Sequence, residues 1–307
     1  MGTRFSKSAS PYILNQPKTV TASPTSDSEA ATTASNILLL AERLEQCMRR
    51  LQGCFLSADG KAMDYLGMKN SPQFVEFVNC AVELQQASLT PLSGVSNESL
   101  RKAFFINIYN LMTMHALIEL SARDTGIPRS MLDVKDFWRS FEYKIGGLTF
   151  SLDDIEHGIL RGNRPHPRDL WSRCYFNAKD ERVPLALSQC DPRIHFCLNC
   201  GAQACPRVSV YSGTDTGSLE SALNGAAKAF CAENIVLDGT RNEIHLSKIF
   251  QWYEQDFGSD RTGMLARVSG WLNDDKEVQL RALMSKEAKV IFVPYDWRVN
   301  STSQAGA

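Results

Sequence analysis

The chain of 307 residues has almost no net charge: 33 Lys and Arg stand against 34 Asp and Glu, a formal −1. Nucleic-acid binding rests on clustered positive charge, so this balance argues against it. Long apolar runs are also lacking. None approaches the roughly 18 residues that a membrane span needs. The first residues hold no apolar stretch ending in a small-residue cleavage site, so no secretory leader is read there. Cysteine is plentiful, at nine, but framework spacing is lacking: the number is odd and the positions are scattered. They read as reduced thiols in a cytoplasmic protein. What remains is an ordinary globular composition, 43% apolar and 22% charged, in a chain long enough to bury a core.

Residues 1–35 are rich in Ser, Thr, Ala and Pro. They hold too little apolar surface to offset the entropy of ordering, and they are expected to be a disordered tail. The chain begins Met1-Gly2-Thr3-Arg4-Phe5-Ser6, which fits M-G-x-x-x-[ST] and marks Gly2 as a candidate for N-myristoylation. One such chain binds membranes only marginally. Arg4, Lys7 and Lys18 add a little charge, and no cysteine nearby offers a second lipid. The expectation is a weak tether through Gly2, peripheral at membranes.

Helical periodicity starts at residue 36. Ile37, Leu40, Leu44, Cys47, Leu51 and Cys54 recur at three- and four-residue steps, which predicts an amphipathic helix within 36–71. It is too short for a free coiled coil. Docking on the main domain is one use for it; binding a partner is the other. The main domain is placed at 72–300, with a short tail over 301–307. It opens with a helix after Pro72. A third helix, over 97–121, is apolar nearly all round and should sit at the centre. It carries Asn107 and Asn110, three apart on one face. Leaving such amides buried and unpaired costs about 1–3 kcal/mol each, so they must hold a polar network, either as loop pins or within a site.

Residues 141–150 read as a hairpin turning at Gly146-Gly147. Ser151 caps a following helix that carries Glu156 and His157. The stretch 161–184 is a loop with Arg161, Arg164 and Arg168, a set that suits a carboxylate or phosphate. The densest chemistry lies in 191–211, DPRIHFCLNCGAQACPRVSVY, with His195, Cys197, Cys200 and Cys205. Alternation predicts a strand over 193–199, and a short strand is expected over 208–211. Beyond it come a helix from Ser218, a hairpin over 234–247, and a helix capped by Ser247 with Phe250, Trp252, Tyr253 and Phe257 on one face. Two more helices and a last strand, ending at Tyr295-Asp296-Trp297, complete the chain.

Five pieces in this order, FFINIYNLMTMHAL, GGLTFSLDDIEHGILR, DPRIHFCLNCGAQACP, LSKIFQWYEQDF and VPYDWRVN, resemble the domain of unknown function 547 family across about 72–300. The resemblance implies no settled activity. It points to His195, Cys200 and Cys205 as family positions, and to Cys197 as local variation. ELSARDTGIPRSML, closing the central helix, is similar to the helix-then-Gly-Ile-Pro passage of transglutaminase and papain-like folds. In those the nucleophilic cysteine starts that helix, and this helix has none.

The fold class expected is α+β: a helix-rich single domain around a small, mostly antiparallel sheet. Three readings of the chemistry are open. In the first, a thiol-dependent hydrolase or acyl transferase uses Cys205 or Cys200 as thiolate, His195 or His157 as base, and Glu156, Asp296 or Asn107 to orient it. In the second, His195, Cys200 and Cys205 bind zinc with a fourth ligand from His157 or Asp296, although H-x4-C-x4-C is looser than the pairs zinc favours. In the third, the domain is a non-catalytic module for a protein or peptide partner. The candidate catalytic set is Cys205, Cys200, His195, His157 and Glu156, with Asn107, Asn110 and Asp296 as binding residues. No cofactor is implied.

Overall fold

The computed structural model describes residues 11–17, 36–169 and 171–304. Its first half is built on four helices: α1 (Ile37–Phe55), α2 (Tyr65–Lys69), α3 (Pro72–Glu83) and α4 (Glu98–Ser121). Asn36 starts α1 by accepting a hydrogen bond from the Leu38 N–H at 3.0 Å. Of the predicted stripe, Ile37, Leu40, Leu44, Cys47 and Leu51 are buried and pack on α3, whereas Cys54, near the end of the helix, is exposed. Each such Leu or Ile contributes about 1.5–3 kcal/mol through burial. The stripe is therefore spent on docking, not on a partner. One continuous core takes in α1, α3, α4 and the first hairpin.

The helix α4 is apolar enough to cross a membrane by length and composition, but its most apolar window is 94% buried in the core. At its start Asn97 does not cap. Its side chain donates instead to the carbonyls of Pro91 and Ser93.

The first sheet holds β1 (Tyr12–Ile13), β2 (Phe141–Ile145) and β3 (Leu148–Ser151), with β1 parallel and β3 antiparallel to β2. The hairpin turns at Gly146 and Gly147, with φ of +57° and +83°. At Gly146 a Cβ would meet the Leu89 side chain and the Ala87 carbonyl, so glycine is needed twice over. Within the expected tail, residues 11–17 are an exception to disorder. Leu14 is buried, and the Asn15 amide donates to the carbonyls of Ala81 (2.8 Å) and Lys144 (2.9 Å). The rest of 1–35, Gly2 included, lies outside the described residues.

Between β1 and β2 in the chain sits the short α5 (Phe137–Ser140). The second half runs α6 (Thr216–Asn234), β4 (Val236–Asp238), β5 (Glu243–Ser247), α7 (Lys248–Trp252), α8 (Glu254–Phe257), α9 (Arg261–Ser269), α10 (Asp274–Ser285) and β6 (Lys289–Val293). Asp215, three residues before the expected Ser218, caps α6. Strand β5 pairs antiparallel with β4 and parallel with β6. The α+β class is as expected, but the sheet is divided: two three-stranded sheets each mix one parallel and one antiparallel pairing. Phe196, Phe230, Phe250 and Phe257 head a second core beneath the later sheet.

Two strands foreseen in the centre do not form. Asp191 accepts from the Arg193 N–H and Pro192 fixes the first turn, so Pro192–Phe196 winds into a 3-10 helix. Residues 208–211 are irregular. After β6 the chain returns along the cysteine loop. The N–H of Gln203 donates to the Arg298 carbonyl at 2.8 Å, and that of Asn300 to the Gly201 carbonyl at 2.8 Å. Ser301, placed in the expected tail, is buried and bridges to Met63; residues 305–307 lie outside the described residues.

Candidate functional site

The site is assembled from α4 outward. Asn110 accepts from the Asn199 N–H at 2.8 Å and donates to the Cys197 carbonyl at 2.9 Å. Asn107 does the same with Tyr211, at 3.0 and 2.7 Å. Each buried amide thus replaces a strand partner for one residue pair or one residue. Together they clamp both ends of the loop that holds Cys200 and Cys205. Asn199 closes the loop by donating to the Pro206 carbonyl and accepting from the Gly201 N–H. Gly201 has φ +87°, and a Cβ there would meet Leu117 at 2.6 Å.

In this loop the two sulfurs lie 2.9 Å apart. Three donors converge on Cys205 Sγ: the Cys200 thiol, the Cys200 backbone N–H at 3.1 Å and the Tyr295 hydroxyl at 3.2 Å. Burial raises the Cys205 thiol pKa, but these donors outweigh it and hold it below the ordinary thiol range. Donating to its neighbour and being buried push Cys200 well up. The pair therefore holds its protons unevenly, and Cys205 is the more acidic of the two thiols.

Next to it stands a dyad that sequence reasoning missed. His195 Nε2 is 2.9 Å from Asp256 Oδ2. Asp256 is fully buried, and it also takes a forked pair from Arg161 (2.6 and 3.1 Å) and one bond from Arg164 (2.7 Å). Despite burial, these bonds, His195 foremost, hold its carboxyl far below the usual range. Two of the three arginines foreseen as an anion receptor, Arg161 and Arg164, have their carboxylate inside the protein, while Arg168 lines the cleft. The His195 ring stacks on Tyr253 at 3.8 Å, and the Tyr253 hydroxyl donates to Glu156 at 2.5 Å. Burial raises the Glu156 pKa.

The helix predicted after Ser151 is wound, over Asp154–Leu160, as a π-helix, a form that recurs at functional sites. Ser151, three residues before Asp154, accepts from the Asp154 N–H as the chain enters this turn. It buries Glu156 and His157 side by side. His157 is held neutral, first by burial and then by the Arg161 charge.

A cleft of about 1460 Å³ collects these groups. Glu156, His157, His195, Cys200 and Cys205 all line it, with Tyr109, Tyr253 and Tyr295. Five of the sequence candidates are thus brought together. Asp296 is not among them: it sits at the surface against Arg298, 2.6 Å away. Among the described residues no hydrogen bond joins either sulfur to His157 or His195. Tyr253 and Asp256 could have been found, since Y-x2-D places both on one face of a helical turn. Tyr295 could not, because only the returning chain brings it to the loop.

The fit to a metal is poor. His195, Cys200 and Cys205 do not gather into a ligand set among the described residues. Asp153, His157 and His166 do lie close enough. However, His157 Nδ1 faces the Arg161 guanidinium at 3.1 Å and His166 Nδ1 faces the Arg168 N–H at 3.1 Å. Both partners only donate, so in each neutral ring Nδ1 accepts and Nε2 carries the proton. In Cys190, His195 and Asp256, the second set, the carboxylate is already taken up by two arginines.

Residues 92–231 match the model of a family described as protein of unknown function, DUF547. Over these residues the chain is similar to that family. No curated protein and no solved structure matches the chain. The likeness to transglutaminase and papain-like folds finds no support in these comparisons. The DUF547 match spans α4, the π-helix, the 3-10 helix and the cysteine loop. Tyr253, Asp256 and Tyr295 lie beyond it, so the cleft is completed by chain outside the matched segment.

Proposed function

We propose that the cleft is the site of a thiol-dependent hydrolase or acyl transferase with Cys205 as nucleophile. The observation that carries this is the convergence of three donors on Cys205 Sγ at the wall of the cleft. A thiolate so held needs no imidazole in contact to be formed. In this reading Cys205 Sγ attacks a carbonyl carbon and forms a thioester. His195, fixed by Asp256 through Nε2, gives a proton from Nδ1 to the leaving group and takes one from the incoming water or acceptor. Glu156, its pKa raised and its carboxyl bound by Tyr253, positions the ring on which His195 stacks. Nine free cysteines suit a reducing, cytoplasmic setting. A cleft of this size suits a peptide or protein segment, delivered at membranes when Gly2 is acylated.

The test is single-turnover acylation by a panel of aryl thioesters and peptide aryl esters, with the acyl-enzyme mapped by peptide mass spectrometry. Acylation at Cys205, lost in Cys205→Ser and slowed about 100-fold in His195→Gln, is the expected result. Acylation spread over exposed Cys54 and Cys174 with none at Cys205 would overturn it. The alternative, a non-catalytic module, then stands.

A further inference from the structure

The mechanism above uses one sulfur, yet the loop holds two in contact. We infer that Cys200 and Cys205 are a dithiol couple that exchanges with small disulfides entering the cleft, Cys205 attacking and Cys200 resolving. Four observations converge on this. The sulfurs are 2.9 Å apart, so a bond of about 2.05 Å needs a closure of roughly 1 Å. The positive-φ turn at Gly201, followed by the Cys205 N–H bonding to the Ala202 carbonyl at 3.1 Å, brings residues five apart to face each other. Asn107 and Asn110 hold the loop ends, which leaves the pair little other geometry to adopt. Both residues line the cleft, where a disulfide substrate would enter.

The donors assign the two roles. They point at Cys205, which makes it the attacking thiolate, while Cys200 keeps its proton until the second step. The exchange balances as follows. Cys205 Sγ attacks one sulfur of the small disulfide, the old S–S bond breaks, and one thiolate leaves. Cys200 then attacks Cys205 Sγ, its proton passes to the departing side, and a second thiol leaves. The protein loses two hydrogens and the small disulfide gains them. The internal disulfide consumes the nucleophile, so the oxidised chain cannot form the thioester.

This inference rests on Cys205 being the reactive thiolate, and two measurements keep them apart. Reduced full-length protein is treated with oxidised glutathione at neutral pH, quenched in acid and peptide-mapped; a parallel sample is treated with iodoacetamide. The expected result is a Cys200–Cys205 disulfide reversed by dithiothreitol. In Cys200→Ser a glutathionyl group stays on Cys205, and in Cys205→Ser exchange at Cys200 is slower by about 10-fold or more. Fast alkylation of Cys205 without an internal disulfide would overturn the exchange alone. Slow alkylation and no disulfide would overturn both. An internal disulfide in a protein that acylates at no cysteine would sustain the exchange and remove the acyl-transfer reading.

Discussion

Among the described residues, two pairs of thiols lie side by side. Cys47 on α1 neighbours Cys80 on α3, and both are buried in the main core. Cys200 and Cys205 touch at the wall of the cleft. In the first pair burial raises the Cys47 thiol to about 12, and its neighbours Cys80 and Glu76 add to the rise. In the second pair a phenol and two N–H or S–H donors reverse the effect of burial at one sulfur. Proximity of two thiols is therefore not what makes a reactive site. What matters is whether the surroundings supply donors to one member: here two come from Cys200 within the loop and the third from the returning chain at Tyr295.

The largest effect expected is in alkylation. A thiol with pKa about 12 is thiolate at on the order of 10⁻⁵ at pH 7, and one below about 9 at more than ~10⁻². Cys205 should thus react with iodoacetamide at least ~10³-fold faster than Cys47, read by time-resolved peptide mapping. Equal rates would erase the comparison. A second effect of similar weight tests whether the dyad belongs to the sulfur chemistry. Asp256→Ala leaves Arg161 buried without its carboxylate, at a cost of about 3–5 kcal/mol in urea unfolding. Labelling of Cys205 in the folded variant should not change, since no hydrogen bond links dyad and sulfur.

The contrast between the pairs was half legible in the sequence. The stripe that buries Cys47 is a helical period, and α1 formed where Asn36 and the period placed it. The hairpin was equally plain, because two consecutive glycines at positive φ have few other uses. The loop was different. Alternation in 193–199 suggested a strand, yet Asp191 and Pro192 impose a 3-10 turn, and local capping won over the pattern. Cys200 and Cys205 were visible as candidates, as were His195, Glu156 and His157. What made them a site was not visible, because Tyr295 reaches Cys205 across 90 residues and Asp256 reaches His195 across 61. Asp296 shows the converse: it stands beside Tyr295 in the chain but faces solvent and pairs with Arg298.

A smaller effect isolates the donor. Tyr295→Phe keeps the ring against Trp252 and Trp297 but removes the O–H that bonds Cys205. A hydrogen bond to a charged acceptor contributes about 1.5–3 kcal/mol, or roughly one to two pKa units. The alkylation profile of Cys205 should move up in pH by about that much, slowing the reaction at pH 7 by about 10-fold or more. Cys47 should not respond. An unmoved profile would assign the low pKa to the backbone and Cys200 instead.

The smallest effect is in stability at alkaline pH, where Cys47 and Cys205 pull in opposite directions. Cys47 has a folded pKa raised to about 12, above its ordinary value near 9. Below about pH 9 neither state loses the proton, and its contribution to stability is complete. Between about pH 9 and 12 the unfolded thiol ionises and the folded one does not, so stability falls as pH rises. Cys205 is the reverse case, with its folded pKa lowered. Its contribution is present above the unfolded value and lost as pH falls through the folded value. Urea unfolding at about pH 8 and about pH 11 should therefore show Cys47→Ala losing less stability than wild type over the interval, and Cys205→Ser losing more. If both substitutions shift the slope the same way, the two sulfur environments are alike and the donors at Tyr295 and Cys200 do not set the charge on Cys205.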